Sequence, residues 1–221
     1  METVRRWIAG WRLCRGLDQP IEYDDVLLAQ LNLPGREREL FTDNAALIDR
    51  LAPVVTETTW LTVTTPYGDA VAERLVTAGL QPFAEQKVLM SIALRDHPRP
   101  ATPTPYRLAL RSEGPLEYAQ LLTTDGSVAA HGMAAVVGGD AVMHDIATDP
   151  DHRRRGLGSV IMGALAGQAA ERGATAGFLM ATEVGVHLYR SLGWLPEATM
   201  VTASGSARAV RGDLGAVLAG R

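Results

Sequence analysis

Residues 145–159 read Asp145-Ile146-Ala147-Thr148-Asp149-Pro150-Asp151-His152-Arg153-Arg154-Arg155-Gly156-Leu157-Gly158-Ser159. A strand ends at Asp149-Pro150, an arginine-rich turn follows, and two glycines open an apolar-striped helix. Glycine lets a backbone approach a ligand without a Cβ in the way. The first amides of a helix have no intrahelical acceptor, and the macrodipole adds partial positive charge there. Together these features describe a pyrophosphate cradle. The two common nucleotide loops are excluded. A Walker loop needs a lysine directly after its second glycine, and a dinucleotide fingerprint needs glycine where Ile161 stands.

Outward from the loop the pattern is regular. Tyr106–Leu110 and Val128–Val137 read as strands, and the turn Gly138-Gly139-Asp140 leads into a third, Ala141–Thr148, which pairs with the second as a hairpin. Gly158–Arg172 reads as a helix, because Leu157, Val160, Ile161, Ala164, Leu165 and Gln168 recur at i, i+3, i+4, and Gly173 stops it. Thr175–Thr182 reads as a strand, Val184–Leu192 as a short helix ended by Gly193, and Ala198–Ala203 as a last strand. Only Glu113–Thr124 separates the first of these strands from the next, room for one short helix at most. Upstream, Tyr23–Asn32, Trp60–Thr64 and Val88–Leu94 read as strands. Asn44–Leu51 reads as a helix capped by Asp43 or Asn44, and Asp69–Thr77 as a helix stopped by Gly79.

The expected fold class is therefore α/β, a mixed and mostly antiparallel twisted sheet flanked by helices, in two half-domains. The stretch 96–105 carries Pro98, Pro100, Pro103 and Pro105 and reads as an extended, semi-rigid linker. It divides an N-terminal half, 1–95, from a second half, 106–204, and leaves a peripheral tail at 205–221. A weak internal repeat joins the halves. Strand, short helix, glycine and strand occur around Gly79 and again around Gly193, 114 residues apart, an offset that also aligns Leu75 with Tyr189.

Composition narrows the class. Hydrophobic residues are 47% and charged residues 21% of 221, a globular balance with enough chain for a sizeable core. The net charge of −4 argues against a nucleic-acid coat or a membrane-surface role. No apolar run approaches the ~20 residues of a bilayer span, and the start, Met1-Glu2-Thr3-Val4-Arg5-Arg6, lacks a signal peptide's layout. The expectation is a cytoplasmic protein, compatible with a homodimer. Cys14 is the only cysteine, which excludes an internal disulfide framework and a cysteine-based zinc cluster, and no metal is expected.

Arg153, Gly156 and Gly158 meet the pattern Arg/Gln-x-x-Gly-x-Gly/Ala. Leu188-Tyr189-Arg190-Ser191-Leu192-Gly193-Trp194 follows in the right order and at the right distance. This pair of motifs resembles the acetyl-coenzyme A loop and the Leu-Tyr-x-x-x-Gly-Phe signature of the GNAT superfamily of N-acetyltransferases. The resemblance covers Tyr106–Ala203. It implies acetyl transfer from acetyl-coenzyme A, as co-substrate, to a primary amine of a small molecule or peptide by direct attack. A non-catalytic acyl-coenzyme A binding or regulatory module is the alternative, and an unrelated nucleotide-binding or interaction protein is a more distant one.

The resemblance also assigns roles. Ile146, Ala147 and Thr148 lie on the strand that meets pantetheine and the thioester. Arg153, Arg154, Arg155, Gly156, Leu157, Gly158 and Ser159 form the pyrophosphate loop. Thr182 stands where many members have an asparagine that contacts the coenzyme. Tyr189 maps onto the general acid toward the departing thiolate. An amine with a pKa near 10.4 is neutral in only about 1 molecule in 2,500 at pH 7, so a base or water chain is needed. His144 is the best candidate, because alternation puts it on one strand face with Val142, Ile146 and Thr148. Some aralkylamine acetyltransferases carry a histidine at the corresponding place. The bland readings are a tyrosine packed at a helix–sheet contact and a satisfied sheet histidine. Glu183 and His131 are weaker base candidates, His187 reads as a surface residue and His152 as polar fringe. The N-terminal half resembles a degenerate GNAT half: Leu75 replaces the tyrosine, and Leu33-Pro34-Gly35-Arg36 holds no Gly-x-Gly loop. It is the expected supplier of the acceptor wall.

Overall fold

In the computed structural model, residues 1–206 and 214–218 are described. The elements run α1 (Glu2–Cys14), β1 (Ile21–Tyr23), β2 (Val26–Leu33), β3 (Arg36–Thr42), α2 (Ile48–Leu51), β4 (Thr59–Thr65), α3 (Gly68–Thr77), β5 (Gln81–Pro82) and β6 (Lys87–Ala93). They continue with β7 (Arg107–Glu113), β8 (Leu116–Leu122), β9 (Val128–Val137), β10 (Asp140–Thr148), α4 (Leu157–Glu171), β11 (Ala176–Ala181), α5 (Glu183–Ser191), β12 (Leu195–Ser204) and α6 (Leu214–Leu218). Mostly antiparallel strands flanked by helices give the mixed α/β class that the sequence predicts.

The chain divides into two compact units, but not at the proline-rich stretch. One unit holds Arg6–Gly16 and Met90–Pro196; the other holds Met1–Arg5, Leu17–Leu89 and the described residues from Glu197 on. Strand membership explains why these units differ from the expected halves, 1–95 and 106–204. β12 follows α5 in the chain yet pairs antiparallel with β4, from Thr199–Thr65 to Ala203–Leu61. β6 follows α3 and β5, yet its end from Met90 belongs to the other unit, beside β11.

In the unit containing residues 90–196, β7, β8, β9 and β10 form an antiparallel meander, and β10 pairs in parallel with β11. α4 packs on one face of this sheet. Gly132 permits that approach, since a Cβ there would lie 2.8 Å from Ile161 Cγ2. The far side of α4 is covered too. A Cβ on Gly163 would lie 2.8 Å from the Pro98 carbonyl oxygen and 3.0 Å from Arg99 Cα. A helix enclosed on two sides has to be apolar nearly all round, and Leu157, Val160, Ile161, Met162, Leu165, Ala166 and Ala169 are all buried. The stretch 96–105 is accordingly a packed strap over α4 rather than a spacer.

α1 is an element the sequence reading lacks. Val4, Trp7, Ile8 and Trp11 are its buried face. Its portion from Arg6 lies against β10: a Cβ on Gly10 would meet the Val142 side chain, and the Arg6 guanidinium grips the Asp140 carboxylate at 2.9 and 2.6 Å. β8 occupies the interval expected to hold at most a short helix. Its buried Glu117 takes hydrogen bonds from Arg172 and Ser112, both at 2.5 Å, so the charge is paired rather than stranded.

The other unit has the order β1-β2-β3-β4-β12, with β3 parallel to β4. Leu28, Leu40, Ile48, Leu61, Val63, Leu75 and Val201 fill its core, together with Leu218 of α6. That burial corrects the expected peripheral tail for α6; the rest of the tail beyond Ser206 lies outside the described residues. The expected single strand Tyr23–Asn32 is the β1–β2 hairpin, turned at Asp24 with φ +29°. Asn44 does cap the turn that follows β3, accepting from the Ala46 amide at 3.1 Å.

The internal repeat has a geometric counterpart. Leu80 N donates to Leu75 O at 2.9 Å past Gly79 (φ +81°), and Trp194 N donates to Tyr189 O at 3.0 Å past Gly193 (φ +90°). Both helices end in the same glycine-dependent turn.

Candidate functional site

The site begins where two strands part. β10 and β11 pair only from Asp140–Ala176 to Val142–Phe178. Beyond that, β10 carries a bulge against β9 between His144 and Ala147, and Asp145 there takes φ +51°. A bulge bends its strand and increases local twist, which carries β10 away from β11. Asp149 N bonds Ala129 O at 2.9 Å, and Ala147 faces His131 in the same register. Strand alternation therefore turns the amides of Ile146 and Thr148 into the gap and that of Ala147 toward β9.

The bulge also corrects a side-chain expectation. Val142 faces Gly10 of α1, whereas Ile146 lies beside Gly132 and Ile161 on the α4 face, and Thr148 beside Gly158. The set Val142, His144, Ile146, Thr148 thus divides between the two faces, because Asp145 inserts an extra residue into the alternation.

A cavity of about 910 Å³ fills the gap. At its loop end stand Arg153, Arg154, Gly156, Leu157, Gly158 and Ser159. The backbone amides of Arg154 through Gly158 donate to no backbone carbonyl among the described residues. Arg154 (φ +63°) and Gly156 (φ +75°) curl these consecutive donors into a concave nest at the start of α4, where the helix has no side-chain cap. The two glycines act differently. Gly156 supplies the positive φ, whereas a Cβ on Gly158 would press within 3.2 Å of Leu188 Cδ2. This donor set suits the pyrophosphate of coenzyme A, and Ile146, Thr148 and the nest would hold it. Arg155 does not join them. Its guanidinium turns away to the Tyr106 hydroxyl (2.8 Å) and the Asp151 carbonyl (3.1 Å).

Ile146, Ala147, Thr148, Thr182, Tyr189 and His144 also line this cavity. Thr182 additionally caps α5, its hydroxyl accepting from Gly185 N at 3.1 Å. Tyr189 leans back over Gly185, where a Cβ would stand 3.1 Å from the ring. Burial pushes its phenol up to about 12, so it keeps its proton at any working pH. Burial lowers the pKa of His144, and nearby Arg15 lowers it further against the opposing pull of Asp145. The imidazole is therefore neutral and able to accept a proton at neutral pH. His131 faces a second cavity and sits 3.4 Å from Asp145, while Glu183 and His187 are exposed. His152 takes part in a loop contact through Nδ1, 2.9 Å from the Tyr106 hydroxyl. Burial pushes the Cys14 thiol up to about 12, which removes it as a nucleophile. Among the described residues no three His, Cys, Asp or Glu side chains gather as a metal site, and no helix is long and apolar enough to cross a membrane.

Residues 87–194 match the Acetyltransferase (GNAT) family, a little under half of the chain. Residues 87–194 are a GNAT domain. The [Ribosomal protein bS18]-alanine N-acetyltransferase of Escherichia coli K12 is 35% identical over 82 residues, 36% of this chain. The chain spans about half of that relative's length, 55%. Among solved structures, a GCN5-related N-acetyltransferase from Kribbella flavida superposes with a TM-score of 0.64 at 17% identity, covering 85% of this chain and 89% of that one. A tandem GNAT protein from the clavulanic acid biosynthesis pathway gives 0.57 at 15%, covering 82% and 78%. At such identities these neighbours speak to the fold alone.

Two residues that line the cavity were not found from sequence. Trp7 and Trp11, from the N-terminal helix, line the cavity at the end where β10 and β11 close. Their rings stack at 5.3 Å and 29°. The signal was present as two tryptophans four apart beside Val4 and Ile8, but their distance in sequence from both motifs gave no reason to bring them to the site. Among the described residues the other unit's parallel pair does not part. β3 and β4 stay paired from Arg38–Thr59 to Thr42–Val63, and the turn after β3 is Asp43-Asn44-Ala45, without glycine. That turn, rather than Leu33–Arg36, is the topological counterpart of the phosphate loop, because it follows the strand that enters the parallel pair.

Proposed function

We propose that the protein is an acetyl-coenzyme A-dependent N-acetyltransferase acting on a primary amine by direct attack, in the cytoplasm. The observation that carries this reading is the strand gap, with free-facing amides on β10, a nest of donors at one end and a neutral histidine and a protonated tyrosine along its sides. The unit holding residues 17–89 has neither a parted strand pair nor a glycine loop, which supports reading it as a degenerate GNAT half that does not bind the coenzyme.

Acetyl-coenzyme A supplies an activated acetyl group as a thioester. The nest binds the pyrophosphate, and the β10 amides orient the chain and polarise the thioester oxygen. Such preplaced donors are worth a few kcal/mol of transition-state stabilisation in other enzymes. His144 takes the proton released as the amine nitrogen bonds to the carbonyl carbon and the carbon–sulfur bond breaks. Tyr189 donates its hydroxyl hydrogen to the departing sulfur; burial that raises the phenol raises a thiolate held in the same place, which keeps donor and acceptor matched.

Thermal unfolding with acetyl-coenzyme A, with ATP and NAD as controls, tests the cradle. Ligand at ~100 times its dissociation constant adds about 2.7 kcal/mol, roughly 5 °C or more for a chain of this size. No shift at millimolar ligand overturns the reading. Tyr189→Phe then separates catalysis from binding: kcat falls roughly tenfold or more, as loss of a proton donor requires, while the thermal shift persists. An unchanged kcat would return the tyrosine to a packing role.

A further inference from the structure

We infer that the acceptor is a monoamine whose amine is carried on an aromatic group, and that Trp7 and Trp11 form the wall that selects it. The inference deepens the proposed acetyl transfer and rests on it.

The cavity has two chemically distinct ends. β10 and β11 run in parallel toward the phosphate loop, so the nest of amides marks one end and the last paired residues, Val142 and Phe178, mark the other. At this closed end the walls are Met143 and His144 from β10, Leu179 and Met180 from β11, and the two tryptophans of α1. α1 lies on the face of β10 that His144 shares with Val142, while Thr148 leans toward α4 beside Gly158. The coenzyme's phosphates and the acceptor therefore approach the parted strands from opposite ends, and the neutral imidazole stands on the acceptor's side.

Charge decides against a polyamine. Among the described residues that line the cavity Asp145 is the one carboxylate, and its side chain is 65% exposed. Against it stand Arg153 and Arg154 at the loop and Arg15, whose guanidinium lies 5.3 Å over the Trp11 ring and whose charge acts on His144. A second ammonium has little to hold it there, and the reacting amine is pushed toward its neutral form.

The lining of this end favours an aromatic carrier. Trp7 and Trp11 both line it, stacked on each other with centroids 5.3 Å apart. Aromatic rings receive another ring in offset-stacked or edge-to-face contact, which adds to the apolar area buried. Met143 and Met180 add polarizable sulfur that also favours aromatic neighbours.

The test is a comparison of kcat/KM for 2-phenylethylamine, butylamine and putrescine, with acetyl-coenzyme A, on the full chain. The expected result is at least a tenfold preference for 2-phenylethylamine over both others. Trp11→Phe and Trp11→Ala should each cut that preference severalfold while the thermal shift with acetyl-coenzyme A shows the variant folded. Equal use of the three amines, or preference for putrescine, overturns the inference even though acetyl transfer stands. So does a Trp11→Phe variant that changes selectivity among acetyl-, butyryl- and hexanoyl-coenzyme A but not among amines, which would make this end an acyl-chain pocket. Absence of both an acetyl-coenzyme A shift and any acetylated amine overturns the proposed function, and the inference with it.

Discussion

Tyr106 ties the loop before α4 to the sheet through one oxygen. The hydroxyl accepts from Arg155, which has only donors, and shares a second hydrogen bond with His152 Nδ1. Arg155 passes the restraint on to the Asp151 carbonyl, two residues before Arg153. Tyr106→Phe removes both bonds, each worth about 1 kcal/mol net. The expected outcome is a KM for acetyl-coenzyme A raised about fivefold or more with kcat within twofold, read by steady-state kinetics; equal KM values would mean the loop holds its shape without the strut. His144 makes a prediction of opposite character. In the proposed reaction its neutral form accepts the amine proton, and its pKa is held below 6.5 by burial first and Arg15 second. At saturating amine, kcat is therefore flat through neutral pH and falls on acidification below about pH 6.5. His144→Asn loses that acid limb along with most of the rate. A limb that survives the substitution assigns the proton to another group.

The elements around the site were legible where local rules govern and hidden where tertiary contacts overrule them. The loop, α4, β11 and α5 declare themselves through glycines and apolar spacing. β8 was hidden because Glu117, on its buried side, breaks the apolar alternation, and the guanidinium that pairs its charge, Arg172, comes from 55 residues further along the chain. β3 was hidden likewise: Arg36-Glu37-Arg38-Glu39 reads as a solvated run, yet Glu39 is buried against Arg36 and Thr62. The bulge at Asp145 was invisible for another reason, since aspartate is among the few residues that accept φ near +50° without glycine's signature. The start of α4 gives the sharpest test of local reasoning. Sequence treats Gly156 and Gly158 as one motif, and the structure gives them different tasks. Gly156→Ala must force a Cβ into a left-handed backbone, at about 1–2 kcal/mol, and distorts the nest. Gly158→Ala meets only the end of the Leu188 side chain, which can shift. Calorimetric titration with acetyl-coenzyme A should show a dissociation constant raised roughly tenfold by Gly156→Ala, from that same strain, and much less by Gly158→Ala. The reverse order would mean that crowding at Leu188, not backbone conformation, controls the loop.

At the scale of the molecule, neither half of the sequence is a whole unit. The proline-rich stretch reads as a boundary because prolines exclude helix and central strand, a local rule that says nothing about what the stretch packs on. Here it lies over α4 at Gly163, and the division of the chain falls elsewhere because each half contributes its last strand to the other's unit. The unit that carries the cavity takes Met90–Ala93 from before the prolines, and it takes α1 from Arg6 onward from far back in the chain, with the Arg6–Asp140 pair, Gly10 against Val142 and the two tryptophans. A fragment of residues 106–204 retains both GNAT motifs and every residue of the nest. It lacks the strand beside β11, the cover of β10 and the strap on α4, and it carries β12 without its partner β4. Exposed apolar faces of that extent leave too little of a stability that is only about 5–15 kcal/mol in whole domains. The fragment should show no cooperative thermal transition and no stabilisation by acetyl-coenzyme A, in contrast to the full chain. A fragment that unfolds cooperatively and is stabilised by the ligand would mean that the motif-bearing segment folds without the exchanged strand and α1, and that these serve the acceptor end alone.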